Sequence, residues 1–249
     1  GSPASVGTVL DISVQKAAEQ RIRELADYDV LTGLPNRRLL RERFVQLMAA
    51  AERDKEELAQ LLSAETGKPI KEARAEIGNI SISFKAFSEK AKHLYGEVLP
   101  AGQETGQDKN ILITQREPLG IVACVIPFNF PCDLFDQKVA PTLLAGNAAI
   151  VKPSTDNPLT LCRLTELLVE AGVTDGAVSI VTGRGSVVGN ELCQNPNVHA
   201  ITFTGSTSVG IETAHNAADH LAHVALELGG HGQIQDQLAQ VRHVEVVEI

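Results

Sequence analysis

Apolar positions change their spacing near residue 110. Before it they recur every three or four residues, the period of a helix with one buried face. Ala18, Ile22 and Leu25 fall on one side of a helix expected over 15–26. Gly33 and Pro35 break it, and a second helix opens over 37–44. Leu47, Ala50, Ala51, Leu58, Leu61 and Leu62 predict a helix over 46–63, with stop signals at Gly67-Lys-Pro69. Ala73, Ile77, Ile80, Phe84 and Phe87 carry the same period over 70–93. Beyond 110 the apolar runs become short and β-branched. Strands are expected at 110–115, 120–126, 148–152, 178–182, 200–204 and 223–228, with helices at 134–144, 159–171, 186–194 and 208–220. Single helices between such strands predict βαβ units. The fold class is α/β: a Rossmann-like parallel sheet with helices on both faces, preceded by N-terminal helices. In the tail, Val244-Glu-Val-Val-Glu-Ile249 alternates like an edge strand.

Composition narrows the function. With 43% hydrophobic and 21% charged residues among 249, the chain can bury a sizeable core. No apolar run approaches the ~20 residues of a membrane span, and no signal-peptide pattern opens the chain. A net charge of −9, no Trp and 4% aromatics speak against nucleic acid or an anionic membrane surface as partner. Cys124, Cys132, Cys162 and Cys193 are widely spaced and form no CxxC. They predict reduced thiols in the cytoplasm.

Doubly wound sheets bind ligands outside the carboxyl ends of their strands, so the strand-to-helix junctions come next. Phe203-Thr-Gly-Ser-Thr-Ser-Val-Gly210 follows one strand and opens a helix. Gly205 leaves the backbone open to a phosphate, Ser206 offers an N–H and a hydroxyl, and a helix start attracts anions. An ordinary βα turn has the same composition. Gly183-Arg-Gly-Ser-Val-Val-Gly189 resembles a stretched dinucleotide fingerprint, GxGxxxG in place of GxGxxG. It fits a tight turn with close helix packing equally well. Lys152 ends the strand in Ala149-Ile-Val-Lys-Pro-Ser154 and suits ribose hydroxyls or a phosphate, unless it simply snorkels to solvent. In Ile126-Pro-Phe-Asn-Phe-Pro131, two prolines stiffen the loop around Asn129. A fixed side-chain amide suits an oxyanion hole, and a turn asparagine is the plainer alternative. Glu227 interrupts the apolar strand Val224-Ala-Leu-Glu-Leu-Gly-Gly230. Enclosed by apolar surface it suits a general base; otherwise it faces solvent at the strand end. His215, Asp219 and His223 would line up as metal ligands only on one continuous helix, which a strand beginning at 223 interrupts, so no metal is expected.

Taken in order, these pieces resemble the aldehyde dehydrogenase superfamily over about residues 45–230. The resemblance rests on Arg116-Glu-Pro-Leu-Gly-Ile-Val, the Pro-Phe-Asn-Phe-Pro loop, Lys138-Val-Ala-Pro-Thr-Leu-Leu-Ala-Gly-Asn147, Lys152-Pro-Ser, Phe203-Thr-Gly-Ser-Thr and Glu227-Leu-Gly-Gly. Upstream, Glu57-Leu-Ala-Gln-Leu-Leu-Ser-Ala-Glu-Thr-Gly-Lys-Pro-Ile-Lys-Glu-Ala73 is similar to the family's early helices. The resemblance implies NAD or NADP as cofactor, bound by Ile126, Phe128, Lys152, Ser154, Thr155, Gly205 and Ser206. It implies that Asn129 stabilises a thiohemiacetal oxyanion and that Glu227 activates the hydrolytic water. Thr155 stands where NAD-preferring members often carry Glu, so a 2′-phosphate is permitted.

The resemblance also implies a nucleophilic cysteine in a catalytic domain beyond Glu-Leu-Gly-Gly. All four cysteines precede Glu227, Cys132 stands outside the nucleophile motif, and His231 replaces the usual Asn. The expectation is a cofactor-binding domain at 44–232, inactive alone, that takes an aldehyde only with a catalytic domain supplied. A helical leader occupies 1–43 and a divergent tail 233–249. Leu25-Ala-Asp-Tyr-Asp-Val-Leu-Thr-Gly-Leu-Pro-Asn-Arg-Arg-Leu-Leu-Arg-Glu-Arg-Phe44 resembles the opening of a GGDEF diguanylate cyclase domain, and Gly7-Thr-Val-Leu-Asp-Ile-Ser-Val-Gln-Lys16 the end of a PAS sensor. The cyclase's Gly-Gly-Asp/Glu-Glu-Phe loop is missing, so the chain reads as a truncated composite. The alternative function is a non-catalytic nucleotide-binding or signalling module that dimerises through Ala18, Ile22 and Leu25. A homo-oligomer fits either reading.

Overall fold

A computed structural model of the chain describes residues 12–28, 36–100, 102, 105–106 and 109–229. The break at Gly33 and Pro35, Gly230, His231 and the tail with its alternating Val244–Ile249 segment lie outside the described residues.

Four helices come first: α1 (Ser13–Asp27), α2 (Arg37–Arg53), α3 (Lys55–Thr66) and α4 (Ile70–Lys90). Asn36 starts α2, its side chain accepting from the amides of Arg38 and Leu39 at 3.1 Å each. The expected second and third helices divide differently. Nothing between Phe44 and Gln46 interrupts the helical bonds, so α2 runs on to Arg53 and the break falls at Asp54. The boundary drawn at 43/44 therefore lies inside α2. Its inner face carries Phe44, whose ring meets Phe84 of α4 edge-on at 4.7 Å. Gly67 ends α3 with φ 72, and Pro69 starts α4. The turn is possible because glycine adopts this left-handed conformation freely.

A two-residue ribbon follows, β1 (Val98–Leu99) paired antiparallel with β2 (Leu112–Ile113). The main sheet contains β3 (Ile121–Val125), β4 (Ala148–Lys152), β5 (Val178–Ile180), β6 (Ala200–Ser206) and β7 (His223–Gly229). All pairs are parallel, in the order β5-β4-β3-β6-β7. The order reverses between β3 and β6, the point where ligands bind in such sheets. Between the strands lie α5 (Pro131–Leu144), α6 (Leu159–Glu170), α7 (Asn190–Gln194) and α8 (Thr207–Ala218).

One face of the sheet presents Val122, Cys124, Ala149 and Val151 to α5 and α6, whose outer sides pack on α2, α3 and α4. The other face presents Ala123, Ile201 and Phe203 to α7 and α8. The expected helical cover fails at one place. Along β7, Val224, Leu226 and Leu228 pack inward, while Ala225 and Glu227, on the α5 side, are exposed.

The helical layer also caps the sheet's helices. Glu65 of α3 accepts from the amides of Leu159 and Thr160 at 2.8 and 2.9 Å, at the start of α6. Glu76 of α4 accepts from Cys132 N at 2.8 Å, in the first turn of α5. A carboxylate at a helix N-terminus satisfies free amides and complements the helix dipole.

Candidate functional site

The carboxyl ends of β3, β4, β6 and β7 bring most of the expected residues to one rim. Ile126 follows β3, and its N–H donates to Lys152 O at 3.0 Å. Lys152, Ser154 and Thr155 follow β4, and Gly205, Ser206 and Glu227 end β6 and β7. Register sets Thr204 beside Glu227 and Ser206 beside Gly229.

Lys152 does not snorkel. It is buried, with Nζ donating to Pro153 O at 2.9 Å, and burial holds it below the ordinary lysine range. The turn after β5 comes close here. A side chain at Gly189 would meet the Lys152 stem at 3.7 Å, and Thr155 Oγ1 donates to Gly183 O at 3.2 Å. Gly183 has φ 145, and Val188 fills the space a Cβ would need there. Gly183 therefore serves a tight turn and close packing, whereas a Cβ at Gly185 would meet nothing within 4 Å. Ser154 Oγ accepts from Asp156 N at 3.3 Å.

Gly205 also answers a packing need. The strand does not turn at 204 but continues through Ser206, held by its pairing with β7. A Cβ at Gly205 would sit 2.6 Å from Cζ of Phe203, so the space beside it belongs to that ring. Ser206 makes no side-chain cap at the start of α8; its hydroxyl lies 3.4 Å from that of Ser208.

Glu227 is not enclosed by apolar surface: its side chain is 56% exposed. Thr204 Oγ1 donates to its Oε2 at 2.6 Å, and Lys138 Nζ lies 3.4 Å from the same atom. Lys138 also donates to Thr202 at 3.0 Å. Its side chain is only 2% exposed, and burial holds it below the usual lysine range, opposed by Glu227. Lys138 was legible only as part of a motif. Its partnership with Glu227 spans 89 residues, and no local pattern reveals it.

Phe128 and Asn129 are exposed in the loop after β3. Two hydrogen bonds restrain it as well as the prolines. Asn157 Nδ2 donates to Phe128 O at 2.8 Å, and Lys68 Nζ to Asn129 O at 2.9 Å. The side-chain amide of Asn129 makes no hydrogen bond among the described residues and is left facing outward.

The cysteines offer no activated thiol. Burial pushes Cys124 up to about 12, and burial with Glu76 and Asp136 nearby pushes Cys132 well above the ordinary thiol range. Cys162 and Cys193 are raised as well, again chiefly by burial. Cys132 follows the Asn129 loop as expected, but it is fully buried between α4 and α5. For the histidine spacing, α8 ends at Ala218 and His223 begins β7, so the three residues do not share a helix. Among the described residues no group of three His, Cys, Asp or Glu is placed to hold a metal, and no helix is long and apolar enough to cross a membrane.

A model of the aldehyde dehydrogenase family matches residues 15–235. Succinate-semialdehyde dehydrogenase [NADP(+)] GabD of Escherichia coli is 36% identical over 208 residues, which are 84% of this chain and 42% of that protein. Glutarate-semialdehyde dehydrogenase of Pseudomonas aeruginosa is 36% identical over 216 residues, 87% of this chain and 43% of that protein. The crystal structure of Staphylococcus aureus betaine aldehyde dehydrogenase in complex with NAD+ superposes with a TM-score of 0.74 at 28% identity, covering 86% of this chain and 42% of that one. The chain thus spans less than half the length of these relatives. With the parallel sheet, its helices and this similarity together, the chain belongs to the aldehyde dehydrogenase family.

Proposed function

We propose that this chain is the dinucleotide-binding part of an NAD(P)-dependent enzyme that oxidises an aldehyde. The observation that carries the proposal is Lys152, buried at the carboxyl end of β4 beside the point where the strand order reverses. A buried ammonium there favours ribose hydroxyls and phosphate. The uncapped first turn of α8 offers free amides to a pyrophosphate, with Ser206 beside them. Ile126, Phe128, Ser154 and Gly205 complete the rim. The donor set therefore fits a dinucleotide, which when bound supplies the hydride acceptor. Thr155 is neutral, so the site admits a 2′-phosphate, in keeping with the NADP(+) in the name of the E. coli relative.

On this reading Asn129 donates its amide to the substrate oxyanion, and Glu227 takes a proton from the hydrolytic water. Thr204 aims the Glu227 carboxylate, and Lys138 holds its charge close. The relatives' names suggest a semialdehyde as the substrate of the whole enzyme. An attacking thiolate is a separate requirement, and four cysteines raised above the ordinary thiol range do not provide one. Free cysteines fit a reducing compartment such as the cytoplasm.

The test is a titration of the purified chain with NADP+ and NAD+, following thermal stability. Binding raises the melting temperature, by about 2.7 kcal/mol of added stability at a hundredfold excess over Kd. Tighter NADP+ binding is expected. No shift with either nucleotide would refute the cofactor assignment, and robust oxidation of succinic semialdehyde would refute inactivity alone.

A second reading rests on α1. Val14 is 84% and Ile22 65% exposed, and Ala18 is exposed on the same side. The side chain of Leu25 lies outside the described residues. With the cyclase-like leader, this stripe supports a dimerising module. The same oligomeric state with and without residues 1–28 would remove that reading.

A further inference from the structure

In the sequence Lys68 sits in a helix stop within the run that resembles the family's early helices, with no role of its own. In the structure it reaches across the molecule to the loop that carries Asn129. Its backbone is tightly held: Gly67 takes φ 72, Ser63 Oγ donates to Lys68 O at 2.6 Å, and Lys68 N donates to Thr66 Oγ1 at 3.2 Å. Its side chain is 9% exposed and its ammonium makes three contacts. It pairs with Glu76, donates to Asn129 O at 2.9 Å, and sits 4.2 Å over the Phe130 ring. The carboxylate of Glu76 is 2% exposed, and its other oxygen accepts from Cys132 N at 2.8 Å. One buried ion pair thus grips Asn129, Phe130 and Cys132 from a different layer of the fold.

We propose that Lys68 and Glu76 are positioning residues, which set the backbone of residues 129–132 before any ligand arrives and so aim the free amide of Asn129. The proposal rests on the reading of Asn129 as an oxyanion donor for its purpose, but the clamp itself is independent of it. The physical case is preorganisation. A donor on an exposed loop is effective only if its direction is fixed beforehand. The prolines fix φ at two positions but leave the Asn129 peptide free to rotate. The ammonium removes that freedom by fixing its carbonyl oxygen. A charged pair suits the task because removing either member leaves the other buried and unpaired.

The experiment is amide hydrogen exchange on the ligand-free chain, for the wild type, Lys68→Met, Lys68→Arg and Glu76→Gln. In Lys68→Met the Cys132 amide and its neighbours in residues 129–134 should exchange at least roughly tenfold faster, with β3 and β4 amides unchanged. Lys68→Arg, which keeps the cation, should restore most of the protection. Glu76→Gln keeps an acceptor for Cys132 but loses the charge, and should fall between. Unchanged exchange at Cys132 in both Lys68→Met and Glu76→Gln overturns the proposal. Uniformly faster exchange across the sheet in both would show a merely structural role and also overturns it. If Lys68→Met does not fold, Glu76→Gln and Lys68→Arg decide by the same criteria. NADP+ titration of the same set separates the two readings. A wild type that binds no nucleotide counts against the cofactor assignment, while the exchange pattern still decides the clamp.

Discussion

Asp136 is fully buried on α5 where that helix meets α4. Burial is the main reason its carboxyl is raised to about 8; Asp133 and Glu76 add repulsion, and the Ser83 hydroxyl offsets only part. The folded state therefore holds this proton far more tightly than the unfolded chain, whose Asp titrates near 4. A native state that binds the extra proton loses stability as pH rises between those two values. We predict that Asp136→Ala raises the urea midpoint at about pH 8.5 and flattens the fall between about pH 5.5 and 8.5, by an amount on the order of 3 kcal/mol. An unchanged pH slope would place the titrating group elsewhere. Leu221 poses a simpler question. It takes φ 59 and is 88% exposed, so the left-handed backbone costs energy and the side chain recovers nothing by burial. Leu221→Gly should stabilise the chain by about 1 kcal/mol, seen as a higher melting temperature.

At the scale of elements, the helical layer governs the helices of the sheet. Glu65 binds two amides of α6 from 94 and 95 residues away. Glu65→Ala should cost about 1–2 kcal/mol, measured by chemical denaturation, because α6 loses both its cap and a charge that complements its dipole. Neither cap was legible in the sequence, since capping patterns are sought within a turn of the helix start. The elements themselves were. The strand expected at 148–152 matches β4 residue for residue, and 120–126 and 223–228 lie within one residue of β3 and β7 at each end. A short β-branched run between two helical periods has little other way to bury itself. The errors fall where pairing or continuity decides. The ladder with β7 carries β6 on to Ser206, and unbroken helical bonds join 37–44 to residues 45–53 in a single helix.

At the scale of the whole molecule, the β1–β2 ribbon leaves apolar side chains in solvent among the described residues. Val98, Ile111 and Ile113 are 76%, 78% and 68% exposed. A two-stranded ribbon is marginal by itself, and an apolar one with open edges invites pairing with another copy. Ile113→Lys replaces an exposed apolar side chain and should leave the melting temperature within about 1 kcal/mol of the wild-type stability. A larger loss would show that Ile113 packs against a neighbour its exposure does not reveal.

By itself the sequence determined the α/β class, the order of strands and helices, and the family, because hydrophobic period and short co-linear motifs are local properties of the chain. It also placed Lys152, Asn129 and Glu227 at the carboxyl ends of their strands, since strand termini are local too. Tertiary structure alone decided how these residues are held. Glu227 proved exposed and tied to Lys138 and Thr204, Gly205 proved to make room for Phe203, and Lys68 with Glu76 proved to grip the Asn129 loop. Each of these depends on contact made by a side chain, and most join segments distant in the chain. A local pattern specifies which element a residue joins, but not which neighbour packing will bring to it.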